Sequence, residues 1–323
     1  MLPDPVFKSG WGDSEGEIPF VFQTSSKNAR PIHGFLPYLL LLVPPLCWGG
    51  NAVVARGVAD VVPPVSLAFW RWTLAFFILM PFTLGHVKRD WRTAMQSWQW
   101  MLILSCLGIS CFNVLLYTAA HTTTAINMSL MQTVMPATII LISWVVFREK
   151  ISSTQMVGVV VSMAGAFILV VHGQWRVLLT MELVEGDVLM LIAVFIYALY
   201  SALFRKRPSI HPLSMLALTF GLGALMLLPL YIWELVRVGP FSLSVAAVMS
   251  ILYVAVFPSI VAYFCWNRGI ELIGANRAGL FTYLVPVFAS VLAIAFLGET
   301  LHLYHFMGMI LIIGGMVIFN RRG

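Results

Sequence analysis

The chain of 323 residues is 60% hydrophobic and only 10% charged, with a mean hydropathy of +0.92. Soluble domains carry roughly 25% charged residues, so a water-soluble fold is excluded and lipid must solvate much of the surface. A net charge of +6 and a pI near 9.3 would suit a nucleic-acid binder, but the cations sit between apolar runs and read as membrane topology.

Residues 1–34 are polar and mixed in charge, with Pro3, Pro5, Gly10, Gly12, Ser25 and Ser26. They lack the apolar core of a signal peptide, so we expect a disordered tail and a retained first helix. A bilayer span needs about 20 apolar residues. Such cores begin near Leu36, Ser66, Trp98, Ala125, Thr154, Asp187, Leu213, Ser244, Asn276 and Tyr304. The chain reads as an all-α membrane protein of ten transmembrane helices. Five lie in 35–173, a linker covers 174–186, and five lie in 187–320. Cys47, Cys106, Cys111 and Cys265 fall inside apolar runs without CxxC spacing, so they are expected to pack as small hydrophobes.

Basic residues orient such a bundle, because Lys and Arg accumulate in cytoplasmic loops. A cytoplasmic N-terminus places Lys8, Lys27, Arg30, Lys88, Arg89, Arg92, Arg148, Lys150, Arg205, Lys206, Arg207, Arg268, Arg277, Arg321 and Arg322 inside. Only Arg176 and Arg237 fall in outside loops, with Arg56 and Arg71 near the outer ends of the first two helices. Both termini are therefore expected to be cytoplasmic.

A shift of 150 residues lays one half of the chain on the other. It pairs Ala125 with Ala275, Leu130 with Leu280, Pro136 with Pro286, Glu149 with Glu299, Gly158 with Gly308 and Gly165 with Gly315. Shifts of 148 or 149 pair Trp48 with Tyr197, Asn51 with Tyr200, Arg56 with Arg205 and Pro81 with Pro229. Five helices per half is an odd number, so the second half must enter from the opposite side. Inverted repeats of this kind build secondary transporters, with the solute site at the midplane.

These residues carry a family resemblance. Leu46-Cys47-Trp48-Gly49-Gly50-Asn51 resembles the Trp-Gly-x-Asn opening of the EamA family of the drug/metabolite transporter superfamily. Phe69-Trp70-Arg71-Trp72 resembles its aromatic-flanked arginine. The run Leu116, Tyr117, Ala125, Pro136, Glu149, Gly158, Gly165 follows the family pattern, and Ala275, Pro286, Gly298-Glu299, Gly314-Gly315 follows it again. The resemblance covers about residues 36–320. It implies an exporter-like carrier of amino acids or related small metabolites in a cell membrane, the bacterial inner membrane, and it does not identify the substrate.

Polar and aromatic residues at membrane depth are candidate solute contacts. Trp48 and Asn51 share one helix face, as do Tyr197 and Tyr200 at the matching place in the other half. Asn113, Tyr117, Gln132, Tyr263 and Tyr283 complete the candidate set with Arg71. The same residues also suit interhelical hydrogen bonds. Arg71 could snorkel to the outer headgroups or offer a bidentate site for a carboxylate. Pro136 and Pro286 are expected kinks that free the carbonyls of Gln132 and Thr282, facing protein or a water-filled cavity. Small residues at Gly158, Ser162 and Ala166 mark close helix packing within the chain, or a dimer contact.

The chain has no GxxxxGK[ST] and no HExxH. His121, His172, His302 and His305 are irregularly spaced, so no metal or cofactor is expected. No Asp or Glu falls near a helix centre, and no deep cluster of Lys or Arg suggests phosphorylated solutes. We therefore expect no enzyme but a facilitator, exchanger or exporter of neutral or zwitterionic solutes, working by alternating access as a monomer or weak homodimer. Its partners would be a small solute and the bilayer, without nucleic acid. A membrane enzyme or a non-transporting assembly subunit is the alternative.

Overall fold

The computed structural model describes residues 35–174, 176, 184–297 and 302–320. Every regular element among them is helical. In chain order they are α1 (Leu36–Gly57), α2 (Pro64–Gln96), α3 (Trp98–Ser105), α4 (Phe112–Thr122), α5 (Ala125–Gln132), α6 (Met135–Phe147) and α7 (Ser153–Val170). Beyond them lie α8 (Glu185–Leu203), α9 (Pro212–Val238), α10 (Val245–Ala255), α11 (Ala262–Ile273), α12 (Ala275–Gly279), α13 (Leu284–Leu297) and α14 (Leu303–Asn320).

Local chemistry sets many of the helix ends. Ser152 caps α7 in a reciprocal capping box, accepting from Gln155 N at 3.2 Å while Gln155 Oε1 accepts from Ser152 N at 3.0 Å. Thr124 caps α5 through Asn127 N at 3.1 Å, and Ser244 caps α10 through Ala247 N at 3.2 Å. Gly239 and Gly274 end α9 and α11 at φ of 85° and 83°, a region costly for residues with a Cβ.

Eight stretches are long and apolar enough to cross a bilayer among the described residues. They run over 64–96, 98–122, 127–147, 153–170, 185–206, 212–238, 245–273 and 303–320. Large apolar side chains such as Phe82, Trp144, Phe195, Trp233 and Ile310 are more than half exposed. Water would not tolerate such a surface, but acyl chains would.

Four irregularities interrupt the spans. The α3 and α4 segments join through a π-helical turn at Cys106–Cys111, and α10 and α11 through another at Val256–Val261, 150 residues later. Pro136 falls in the first turn of α6, after a break at Thr133–Val134, so the expected mid-helix kink is a full interruption. Pro286 comes after a 3₁₀ turn at Leu280–Tyr283 and lies in the first turn of α13. At both breaks hydroxyls reach carbonyls: Thr133 bonds Leu130 O at 2.6 Å, Thr138 bonds Val134 O at 2.9 Å, and Thr282 bonds Gly279 O at 2.8 Å.

The expected small-residue face of α7 packs within the chain, against α14. A Cβ on Gly158 would meet Gly315 O at 2.7 Å, and one on Gly165 would meet Gly308 O at 2.7 Å. Between them Ser162 Oγ donates to Ile312 O at 3.1 Å. The early residue of one helix meets the late residue of the other, so the two run antiparallel at backbone contact distance.

Candidate functional site

The polar centre is built on α2. Arg71 lies about two turns into that helix and is only 2% exposed, so it does not snorkel to a surface. Its Nε donates to Ser259 Oγ at 2.5 Å and its Nη2 to the Pro258 carbonyl at 2.8 Å. Its Nη1 faces Tyr117 Oη at 2.7 Å, Asn113 Oδ1 at 3.0 Å and Asn51 Oδ1 at 3.5 Å. Trp72 packs with its ring centroid 4.6 Å from the guanidinium carbon. Every one of these partners is neutral, and among the described residues no ion pair includes Arg71. Among the described residues the guanidinium is a buried cation without a counter-ion, held by hydrogen bonds and the face of Trp72.

The two π turns supply part of that cage. A π turn widens the helix and leaves carbonyls without their usual donors. Pro258 has no N–H to give Val254 O, and the neighbouring Ser259 hydroxyl donates there instead at 2.6 Å. The Pro258 carbonyl, freed in turn, accepts from Arg71 and from Trp48 Nε1 at 3.3 Å. In the other turn, Gly108 O accepts from Tyr263 Oη at 2.5 Å, and Asn113 Nδ2 donates to Ile109 O at 2.8 Å.

A cavity of about 30 Å³ opens beside this cage. Trp48, Asn51, Arg71, Gln132, Tyr197 and Tyr263 line it, with Phe112, Leu116, Met128, Met135, Thr282 and Val285. Six of the ten expected solute contacts thus meet at one void. Asn113 and Tyr117 stand behind, gripping Arg71. Tyr200 is turned away from the void: it donates to Asn267 Oδ1 at 2.7 Å and lies on Gly108. Tyr283 borders a separate space of about 10 Å³ with Pro286, Gln132 and Thr133. An aromatic cluster closes one side of the main cavity, with Trp48 packed edge-on to Tyr197 and Trp266 at 5.7 and 5.2 Å between centroids. Trp72 Nε1 and Trp266 Nε1 are buried without a hydrogen-bond partner, and the Tyr197 hydroxyl has none of good geometry.

Sequence reasoning passed over Pro258 and Ser259. The available signal was a proline inside an apolar span with a serine beside it, the same signal that drew attention to Pro136 and Pro286. It also passed over two buried acids near helix ends. Glu234 accepts from Val65 N, Ser66 N and Ser66 Oγ at 3.0, 2.7 and 2.7 Å, tying α9 to the start of α2. Asp187 accepts from Thr123 Oγ1, from Asn127 Nδ2 at 3.2 Å and from Val184 N at 3.1 Å.

At the end of the bundle that carries Lys150 and Arg205–Arg207, Glu149 pairs with Arg205 and accepts from Asn276 Nδ2 at 2.7 Å. Arg207 and Arg268 both pair with Glu271, at 2.9 and 2.5 Å. Glu149, Arg205, Arg207, Glu271 and Asn276 border a vestibule of about 510 Å³. Among the described residues, no cluster of His, Cys, Asp or Glu could hold a metal ion.

An apolar exterior around one enclosed, singly cationic centre defines a multi-pass helical membrane protein. The chain belongs to the EamA-like transporter family, whose sequence profile matches residues 35–171 and 184–321. It is 26% identical to the uncharacterized transporter YyaM of Bacillus subtilis over 284 residues, 87% of this chain and 92% of the other. It is also 26% identical to protein PecM of Dickeya dadantii over 290 residues, 86% of this chain and 92% of that one. A solved crystal structure matches with a TM-score of 0.67 over 88% of this chain and 97% of the other at 17% identity, a likeness of fold.

Proposed function

We propose that the protein is a secondary transporter that moves small neutral or zwitterionic solutes, amino acids among them, by alternating access. The observation that carries this reading is Arg71. A cation in a dry interior is costly, by several kcal/mol per ion even after relaxation, and here only neutral groups surround it. A carboxylate arriving beside the cavity would supply the missing counter-charge through a charge-assisted hydrogen bond. The rings of Trp48, Tyr197 and Tyr263 would receive the apolar body, and the Tyr197 hydroxyl would meet a further polar group.

We read the architecture as ten spans in two inverted repeats, 35–173 and 187–320, with both termini cytoplasmic in the cell membrane. Three observations support it. The π turns recur 150 residues apart. Ser162 bonds Ile312, its own counterpart under the same shift, where antiparallel α7 and α14 cross. Tyr117 donates to Asn51 at 3.1 Å, and their counterparts Asn267 and Tyr200 form the same bond with the residue types exchanged. A cavity of about 30 Å³ has room for about one water, so this is a closed conformation that must widen to admit a solute. A void walled by residues of both halves favours transport over the role of a non-transporting subunit.

The test is exchange of labelled amino acids in proteoliposomes. Uptake against an internal pool of the same solute, lost on Arg71→Ala, is the expected result. Absence of amino-acid exchange in the wild type would end the substrate reading, and a bilayer-embedded protein that carries no solute at all would end the transport reading.

A further inference from the structure

A further cavity lies on the outside of the bundle, in the groove between α2, α3 and α9. It measures about 490 Å³, within the range of small-molecule sites, and almost all of its lining is apolar. Val87, Ala94, Met101 and Ala217 are buried and form its floor. Trp91 and Trp98, each 51% exposed, form its rim. Water needs two to four polar partners to occupy a void, and this one offers almost none. In a membrane protein an acyl chain is the neighbour that can fill it.

The chemistry at the mouth selects the headgroup. Lys88 and Arg92 are exposed, one helical turn apart, on the face of α2 that flanks Trp91 and Met95. Neither forms an ion pair among the described residues, whereas Arg89 is turned to Asp90 at 3.6 Å. Trp91 and Trp98 are the residue type that collects at the level of the headgroups. Two free cations over an apolar slot at that depth match a headgroup with net negative charge above an acyl chain. A zwitterionic headgroup would bring its own ammonium toward them. A second copy of this chain is a poorer occupant, because a two-fold contact through the same patch would set Lys88 and Arg92 against their own copies.

We propose that this groove is a specific site for an anionic phospholipid, with the headgroup phosphate between Lys88 and Arg92 and the acyl chain running from the floor at Ala94 along Met80, Phe76 and Leu222. The lipid touches α2 and α3 on one side and α9 on the other, and its binding is independent of which solute the protein carries.

Native mass spectrometry of the full chain, titrated with phosphatidylglycerol or with phosphatidylcholine of the same acyl chains, tests this. Phosphatidylglycerol is expected to be retained more tightly. Lys88→Gln together with Arg92→Gln, a surface change that leaves the core intact, should weaken it roughly 10- to 30-fold, from about a fivefold contribution per cation near the membrane surface, and leave phosphatidylcholine unchanged. Ala94→Phe, which fills the floor but keeps both cations, should lower retention of phosphatidylglycerol. Equal retention of the two lipids by the wild type would overturn the proposal, as would a preference that survives the double variant. Undiminished phosphatidylglycerol binding in Ala94→Phe would place the lipid outside the groove, and dimerisation blocked by Ala94→Phe would give the groove to a second copy; either result overturns it.

Discussion

Arg71 shows how much one residue can decide. Lysine keeps the charge but presents a point cation with three donors in place of a planar fork with five. It could not reach Ser259, Pro258 O, Asn113 and Tyr117 together. Arg71→Lys is therefore expected to weaken a carboxylate-bearing solute roughly tenfold to hundredfold, the range for loss of one charged hydrogen bond. Competition of labelled solute in proteoliposomes measures it, and unchanged affinity would return Arg71 to a purely structural role. Glu234 predicts a different outcome. Its carboxylate caps the first N–H groups of α2, where the helix dipole favours negative charge. Glu234→Gln should cost about 1–2 kcal/mol of stability, read as a lower unfolding temperature with little change in solute affinity.

Among the elements, the α7–α14 crossing is the tightest contact. No side chain can enter where a Cβ on Gly165 would lie 2.7 Å from Gly308 O. Gly165→Leu should force the helices apart and cost about 3 kcal/mol, the upper part of the overpacking range. A thermal melt of the purified protein checks it, with Gly314→Leu as the control, since nothing lies within 4 Å of a Cβ there. The broken spans are the opposite case. At 133–134 and 280–283 the helix gives way beside the central cavity, and threonine hydroxyls add donors to carbonyls at each break. Such joints are places where a helix can bend.

At the scale of the whole molecule, the inverted-repeat reading makes a topological prediction. Cysteines introduced at positions 150 and 300, counterparts under the repeat, should be labelled from opposite sides of the membrane. Labelling from one side would remove the inversion. The pair between Arg205 and Glu149, whose side chains are 47% and 35% exposed, ties the two halves at the vestibule. An exposed pair contributes about 0–1 kcal/mol, so Glu149→Gln should barely alter melting while raising labelling of a cysteine in the central cavity from the vestibule side. Transport should also depend little on an imposed proton gradient. The two buried acids among the described residues, Asp187 and Glu234, sit near helix ends with their oxygens engaged by fixed donors, and neither borders the central cavity.

Sequence alone determined the features that solvent and period dictate. Runs of about 20 apolar residues must be helical in lipid, because no other open segment pairs its own backbone groups there. Helix starts read at Leu36, Trp98, Ala125 and Thr154 fall within one residue of those in the structure. The positions that recur after 148 or 149 residues likewise pointed to Trp48, Asn51 and Tyr197, and the depth of Arg71 in its span pointed to that cation; all four border one void. Tertiary structure decided what each polar group touches. Sequence left Arg71 open between snorkelling to a headgroup and offering a carboxylate site, and did not foresee the buried cage, because its neighbours Ser259 and Pro258 are 187–188 residues away. It could not turn Tyr200 from the cavity toward Asn267, nor reveal that the carbonyls of two π turns would face the centre. Those outcomes depend on how helices far apart in the chain cross, and hydrogen-bond geometry across such a crossing is not written in any local pattern.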